Sequence, residues 1–256
     1  MEKYINRSKI EILKSKEYAL SFFASLLYIP ISVLIPYFLW KYIFQYQETL
    51  GQMNLQDVLF YLITIQIVKL SFSDLMAEVY YIFQDINTGQ LDLYITKPVN
   101  YLLSRYFSAL GRIAITFPLG LVFWIIMGGL FNALTLENLI YFTISLFLGF
   151  TVFFVVLAII GTSTFWLKSV LTLRDIFWFI LAIFSGEILP LKLFGKSLSF
   201  IEHNPLASIY YIPSIIVQET NKAYLILEQG IYLLVFVALL YFLWKVGIGK
   251  YESQGG

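Results

Sequence analysis

The sequence has no cysteine, only one histidine (His203), and few charged residues. The absence of cysteine excludes disulfides, thiolate metal sites and cysteine nucleophiles. A single histidine argues against a histidine-rich metal centre or a histidine relay. Charged residues make up 13% of the 256 residues and the formal net charge is +1, so the overall charge balance gives no reason to expect a nucleic-acid partner.

Apolar residues are abundant: 59% of the chain is hydrophobic, 19% is aromatic, and the mean hydropathy is +0.79. This composition predicts an all-α polytopic membrane protein. A hydrocarbon core about 30 Å thick requires roughly 20 helical residues per crossing. Six candidate transmembrane helices meet this length, at residues 19–40, 56–77, 113–132, 139–162, 170–189 and 224–246. The first run is too long for an ordinary signal core and lacks a small-x-small cleavage site, so we expect it to be retained.

Ionisable residues interrupt some of these spans. Lys69 and Asp74 lie in the second span, and Glu187 lies at the end of the fifth. Ionisable groups within a membrane are candidates for function. The alternatives are structural: Lys69 extends toward the cytoplasm or pairs with Asp74, and Glu187 caps its span beside Lys192.

The fourth span has the opposite property, because residues 139–167 contain no charge. A helix of that length exceeds the thickness of the hydrocarbon core. We therefore expect it to tilt, to break near Gly161, or to project beyond the bilayer.

The flanking charges predict an orientation. With the N-terminus inside, 12 of the 17 Lys and Arg residues fall on the inner side and 4 on the outer side. Positive charge accumulates on the cytoplasmic side of membrane proteins. Both termini and the connection 78–112 are therefore predicted to be cytoplasmic, and the connection 190–223 to be an extracytoplasmic cap.

The N-terminal residues 1–17 and the inner connection 78–112 carry most of the information on that side. Residues 1–17 are interpreted either as a basic interfacial helix or as an ordinary positive anchor. In the connection, Gly89 suits a helix end, while Pro98 and Asn100 suit a turn and a new N-cap. The prediction is helix, break, short element, turn, helix.

Four charged residues of this connection, Asp85, Asp92, Lys97 and Arg105, are expected to be available to a soluble partner. The alternative is a solvated loop, although long unstructured connections are uncommon and usually functional.

The outer connection contains two short apolar pieces and three prolines, Pro190, Pro205 and Pro213. Neither piece can span a bilayer, so re-entrant or interfacial helices are predicted. The tripeptide "GKS" (residues 195–197) is not a phosphate-binding loop, because that motif requires glycine where Pro190 stands. The chain is predicted to have no catalytic residues and no metal site, and His203 with Glu202 is interpreted as an exposed loop pair.

Two segments resemble a known family. "INTGQLDLYITKPVN" (residues 86–100) and "SGEILPLKLFGKSLSFIEHNPLASIYYIPSIIV" (residues 185–217) are similar to the inner and outer segments of type-2 ABC exporter permeases, in their six-helix branch. With the length and the predicted topology, the resemblance extends over nearly the whole chain.

The resemblance implies a single permease domain over residues 1–256. It implies that the N-terminal helix and a coupling helix between spans two and three contact two ATPase subunits, which bind ATP and Mg²⁺. Gly89, Asp92, Lys97 and Pro98 fall in that coupling element. A second permease chain, more often a homologue than an identical copy, completes the pathway, and the expected location is the inner membrane of a prokaryotic cell.

Two other classes of membrane protein fit the sequence less well. An ion-gradient-driven secondary transporter usually shows inverted repeats and midplane ionisable sites, whereas this chain offers Lys69 alone near a midplane. A lipid-modifying membrane enzyme requires convergent acid, base or metal groups, which Glu187, Glu202 and His203 supply poorly. The cargo is not predicted.

Overall fold

The computed structural model describes residues 2–15, 19–50, 53–96, 99–114 and 116–251, all of which lie in helices or their connections. The α-helices are α1 (Glu2–Ser15), α2 (Ala19–Ile43), α3 (Leu55–Phe72), α4 (Glu78–Asn87), α5 (Asp92–Ile95), α6 (Tyr101–Arg112), α7 (Thr116–Leu130), α8 (Leu136–Thr162), α9 (Leu171–Phe184), α10 (Tyr211–Ile215) and α11 (Lys222–Ile248). The all-α prediction is confirmed.

Within the described part of the chain, three helical stretches are long and apolar enough to cross a membrane: Leu55–Asn87, Leu136–Phe165 and Lys222–Ile248. A fourth is possible if α6 and α7, which are bent by 48° relative to each other, form one span. The count of six transmembrane helices stays a prediction. The predicted fifth span differs most, because α9 has 14 residues, about 21 Å of helix, which is shorter than the hydrocarbon core.

The core is built around α8. Phe142, Phe150 and Phe153 on this helix are fully buried, and Trp124 from α7 stacks on Phe142 with 4.3 Å between ring centroids. The charge-free run predicted to tilt, break or project does change geometry: α8 ends at Thr162, one residue after Gly161, and a 3₁₀ turn follows at Ser163–Phe165.

Contacts at the helix ends show which connections lie together. Lys222 at the start of α11 donates to Glu137 Oε1 (3.0 Å) at the start of α8. At the other ends of the same two helices, Phe165 packs edge-on against Trp244, with 5.5 Å between centroids. α8 and α11 therefore run in the same direction, as the predicted topology requires. Which end faces the cytoplasm stays a prediction.

The predicted outer cap folds as short pieces instead of two regular helices. They are the 3₁₀ helices Leu191–Phe194, Lys196–His203 and Ile216–Gln218, together with α10. Residues 207–216 are buried, and the backbone carbonyl of Ser208 accepts a hydrogen bond from the buried Gln229 Nε2 on α11 (2.8 Å). Irregular backbone can be accommodated at membrane depth when protein groups satisfy it in this way.

The three cap prolines occupy different environments. Pro190 is buried and precedes the 3₁₀ helix Leu191–Phe194, where its fixed φ suits a helix start. Pro205 is exposed. Pro213 is buried within α10 and packs close to Gly149 of α8. Pro213 therefore belongs to the core more than to a surface cap.

Candidate coupling region

Residues 78–112, here called the coupling region, contain two helices, α4 and α6, separated by a short α5. Gly89 follows the end of α4 with φ +74°, in the left-handed region that favours glycine. The amide of Leu91 donates to the carbonyl of Asp85 (3.0 Å) across this turn. The predicted break at Gly89 is therefore present, and the described helices α4, α5 and α6 follow in the predicted order.

The second predicted boundary is also present. The Asn100 backbone is extended, and its side-chain oxygen accepts a hydrogen bond from the amide of Leu103 (2.9 Å), which makes it the N-cap of α6. Lys97 and Pro98, both predicted to act in coupling, lie outside the described residues.

A buried ionic cluster joins the first turn of α4 to α6. Glu78 has no exposed surface. Its Oε2 accepts hydrogen bonds from Arg105 Nε (3.2 Å) and Nη2 (2.9 Å), and its Oε1 pairs with Arg112. Tyr81 lies against both guanidinium groups, with its ring centroid 4.7 Å from Arg105 Cζ and 5.3 Å from Arg112 Cζ.

Sequence reasoning did not identify Glu78 or Arg112 as functional residues. A signal existed: Arg105 and Arg112 are seven positions apart, nearly two helical turns, and therefore lie on one face of α6. Two basic residues on one face of an amphipathic helix, preceded by an acidic residue at the start of the neighbouring helix, indicate an ion pair between the helices.

Asp85 and Arg105 take part in contacts within the coupling region. Tyr101 donates from its hydroxyl to Asp85 Oδ2 (2.7 Å), and Arg105 Nη1 lies 3.9 Å from the same oxygen. Their side chains are only 21% and 14% exposed. In this conformation, most of the surface of both side chains is buried in contacts within the coupling region. Their part in ATPase coupling stays a prediction.

Among the residues whose side chains are described, the exposed tip of the coupling region is polar apart from Leu93. The tip surface consists of the exposed residues Asn87, Thr88, Gln90, Leu93 and Thr96. Leu93 is 53% exposed. Asp92 begins α5 and is partly buried. An exposed leucine surrounded by polar residues is a suitable anchor for a protein partner.

The N-terminal helix α1 packs on α6. Ser8 donates to the carbonyl of Phe107 (2.5 Å), and the ring of Tyr4 stacks on Phe107 with 5.6 Å between centroids. The two backbones approach so closely that a Cβ added at Gly111 would lie 2.6 Å from the Ser8 carbonyl oxygen. Residues Glu2–Ser15 form α1, and the packing partner of α1 is the coupling region. Its depth in a membrane interface stays a prediction.

A cavity of about 480 Å³ lies between α1 and the coupling region. Its charged lining residues are Lys3, Arg7, Glu11, Asp85, Arg105 and Arg112. Arg7 donates to the hydroxyl of Tyr94, which joins α1 to α5 across the cavity. Opposite charges line this space, and the hydrogen bond of Arg7 to Tyr94 links its two walls.

Aromatic contacts attach the coupling region to the end of α11. Tyr101 stacks on Trp244, with ring planes 6° apart and centroids 5.1 Å apart. Burial, together with the nearby Asp92 carboxylate, raises the pKa of Tyr251 to about 12. Trp244 and Tyr251 therefore lie against the coupling region, and movement of α4 to α6 would be transmitted to α11.

The two deepest ionisable residues pair with each other. Lys69 Nζ lies 2.6 Å from Glu187 Oε1. The interpretations that placed Lys69 with Asp74 and Glu187 beside Lys192 were wrong, because Lys192 pairs with Glu219 (2.5 Å). The sequence alone could not show that the chain after α9 returns to α3.

The predicted loop pair of His203 and Glu202 was also wrong. His203 Nδ1 lies 3.0 Å from Glu228 Oε2 on α11, whereas Glu202 accepts a hydrogen bond from Tyr211 (2.6 Å). Each residue connects the cap to a different element, so they do not form a couple.

Long apolar helices that end in a polar region held together by ion pairs and hydrogen bonds define a multi-pass membrane protein. A family model described as ABC-2 family transporter protein matches residues 30–255. The chain belongs to this family of membrane transporters, and the matched range includes the whole coupling region. Searches of curated proteins and of solved structures gave no match.

Proposed function

We propose that this chain is the permease subunit of an ATP-driven exporter. Permeases of this family work with ATPase partners, and this chain would form the substrate pathway with a second permease chain in a prokaryotic inner membrane. ATP and Mg²⁺ would be bound by two ATPase subunits. Both termini and the coupling region would be cytoplasmic.

One observation carries the proposal: the two helices of the coupling region are joined at their base by buried ion pairs, and the tip surface is exposed. The Glu78 cluster fixes α4 to α6 at the base, while Leu93 at the tip is 53% exposed. α4 continues from α3 through the 3₁₀ helix Ser73–Ala77, so force applied at the tip reaches a membrane helix directly. Closure of the ATPase subunits would move the coupling region and thereby change access to the pathway.

The experiment is affinity purification of the chain from its native cells, followed by identification of a co-purified ATPase. We expect a stable complex that hydrolyses ATP, whereas the chain alone shows no hydrolysis. Leu93→Asp places a charge on the tip and should reduce co-purified ATPase about tenfold, a loss of about 1.4 kcal/mol of binding energy. Leu134→Asp, at an exposed leucine on the other end of the molecule (44% exposed), is the matched control. Equal co-purification of both variants would contradict tip docking.

A further inference from the structure

Lys69 lies deep along its span from both ends. It is 14 residues after Leu55, about 21 Å along the helix axis, and nine residues before Glu78, where the coupling region begins, about 13 Å. An ammonium group at this depth requires a partner or water. The partner is Glu187, at 2.6 Å.

Glu187 lies in the short connection after α9, which contacts α3 at two points. Besides the ion pair, the fully buried Tyr61 donates to the carbonyl of Gly186 (2.7 Å). Gly186 has φ +75°, and a Cβ there would lie 2.5 Å from the Tyr61 hydroxyl. Along α9 itself, Leu181 is the one buried residue. The position of α9 therefore depends strongly on the attachment of its carboxyl end to α3.

The ion pair is at the edge of the protein core. The Lys69 side chain is 29% exposed and that of Glu187 is 21% exposed. Charged groups turned toward hydrocarbon are strongly unfavourable, and those within membrane proteins face the bundle interior or a water-filled space. By contrast, Phe179 on α9 is 71% exposed and apolar, as expected for a lipid contact. The exposed part of the Lys69–Glu187 pair therefore requires water or protein around it, whereas the exposed face of Phe179 suits lipid.

We propose that Lys69 and Glu187 line a water-filled transport pathway and that their pair holds the carboxyl end of α9 against α3 in this conformation. Both are positioning residues. The inference rests on the proposed function, since it places the pathway beside this pair. Opening the pathway there would separate the two charges, which water in the pathway would then solvate.

The first test uses the absence of cysteine in the chain. Lys69→Cys and Phe179→Cys are compared in the permease–ATPase complex in nanodiscs, using a membrane-impermeant trimethylammonium-ethyl methanethiosulfonate. Lys69→Cys should react at least about tenfold faster, because the thiol reacts as its thiolate and needs water. Equal rates, or a faster reaction at the lipid-facing control, would overturn the pathway assignment.

The second test asks whether the charge at position 69 acts through position 187. Lys69→Cys should lower the ATP hydrolysis rate of the complex severalfold. Modification with an aminoethyl reagent restores a cation and should restore most of the rate, whereas a sulfonatoethyl reagent should not. Equal responses to both reagents would overturn the proposal. The double variant Lys69→Glu/Glu187→Lys should retain more activity than either single variant, and a double variant no better than the singles would count against it.

Failure of this inference can be separated from failure of the proposed function. If no ATPase co-purifies with the unmodified chain, the proposed function fails, together with the inference that rests on it. If the ATPase co-purifies with Lys69→Cys and hydrolysis is insensitive to the charge of the reagent, the exporter assignment stands and the role of the pair is refuted.

Discussion

Glu78 accepts two hydrogen bonds from Arg105, from Nε at 3.2 Å and from Nη2 at 2.9 Å, although the Glu78 side chain has no exposed surface. A buried ion pair can contribute little net stability compared with an apolar replacement, but removal of one partner leaves an unpaired buried charge. The pair therefore specifies how α4 sits on α6. In the proposed exporter, movement of the ATPase would act on this contact between α4 and α6.

Replacing Glu78 with glutamine should destabilise the protein by about 3 kcal/mol, because Arg105 and Arg112 lose their shared carboxylate. This corresponds to a fall of roughly 5–10 °C in the thermal unfolding midpoint, measured in detergent micelles. Glu137→Gln is the control: Glu137 also pairs with a cation, Lys222, but its side chain is 66% exposed. Its loss should cost less than about 1 kcal/mol. Similar midpoints for both variants would show that the Glu78 cluster is not a structural joint.

Gly89→Val should distort the turn between α4 and α5, since a β-branched residue strongly disfavours φ +74°. The strain is about 1–2 kcal/mol or more. We expect weaker ATPase association with little change in the membrane helices, measured by co-purification and by far-UV circular dichroism. Gly230→Val adds the same side chain to α11, where a Cβ meets no atom within 4 Å. If both variants bind the ATPase as the unmodified chain does, the shape of this turn is irrelevant to docking.

Gly111→Ala should displace α1 from α6, because the new Cβ would lie 2.6 Å from a backbone oxygen of Ser8. Overpacking of this kind costs about 1–3 kcal/mol. The measurement is cross-linking between cysteines introduced at Tyr4 and Phe107, whose rings stack in the unmodified chain. The yield should fall in the Gly111 variant and remain high with Gly129→Ala, where a Cβ meets open space. Unchanged yield would mean that α1 is not held by this close contact.

The sequence predicted those features whose signals are local. The break at Gly89 depends on backbone conformation, and the N-cap at Asn100 depends on a side-chain oxygen that accepts from an amide three residues away; both are present. The predicted partners of Lys69 and His203 were wrong, because the actual partners are set by tertiary packing. Lys69 meets a residue 118 positions away. A pattern within one helix carries no information about such a contact.

Span assignment had a different difficulty. Within the described residues, hydropathy identified the three stretches that form long apolar helices, but it also extended the fifth span through residues 185–189, where the chain turns at Gly186. An apolar run of about 20 residues can be a continuous helix or a shorter helix followed by a buried loop. The ion pair of Glu187 and the hydrogen bond of Gly186 to Tyr61 favour the second arrangement here.

Labelling from the two sides of the membrane tests the predicted orientation. Thr88→Cys lies on the tip of the coupling region, and Phe200→Cys replaces an exposed residue (68%) of the cap. In intact cells an impermeant maleimide should label position 200, while position 88 should react only after permeabilisation, because the basic flanks of the spans favour the cytoplasm. The cysteine-free parent chain gives the background. Labelling of both positions in intact cells would invalidate the topology and, with it, docking of a cytoplasmic ATPase at Leu93.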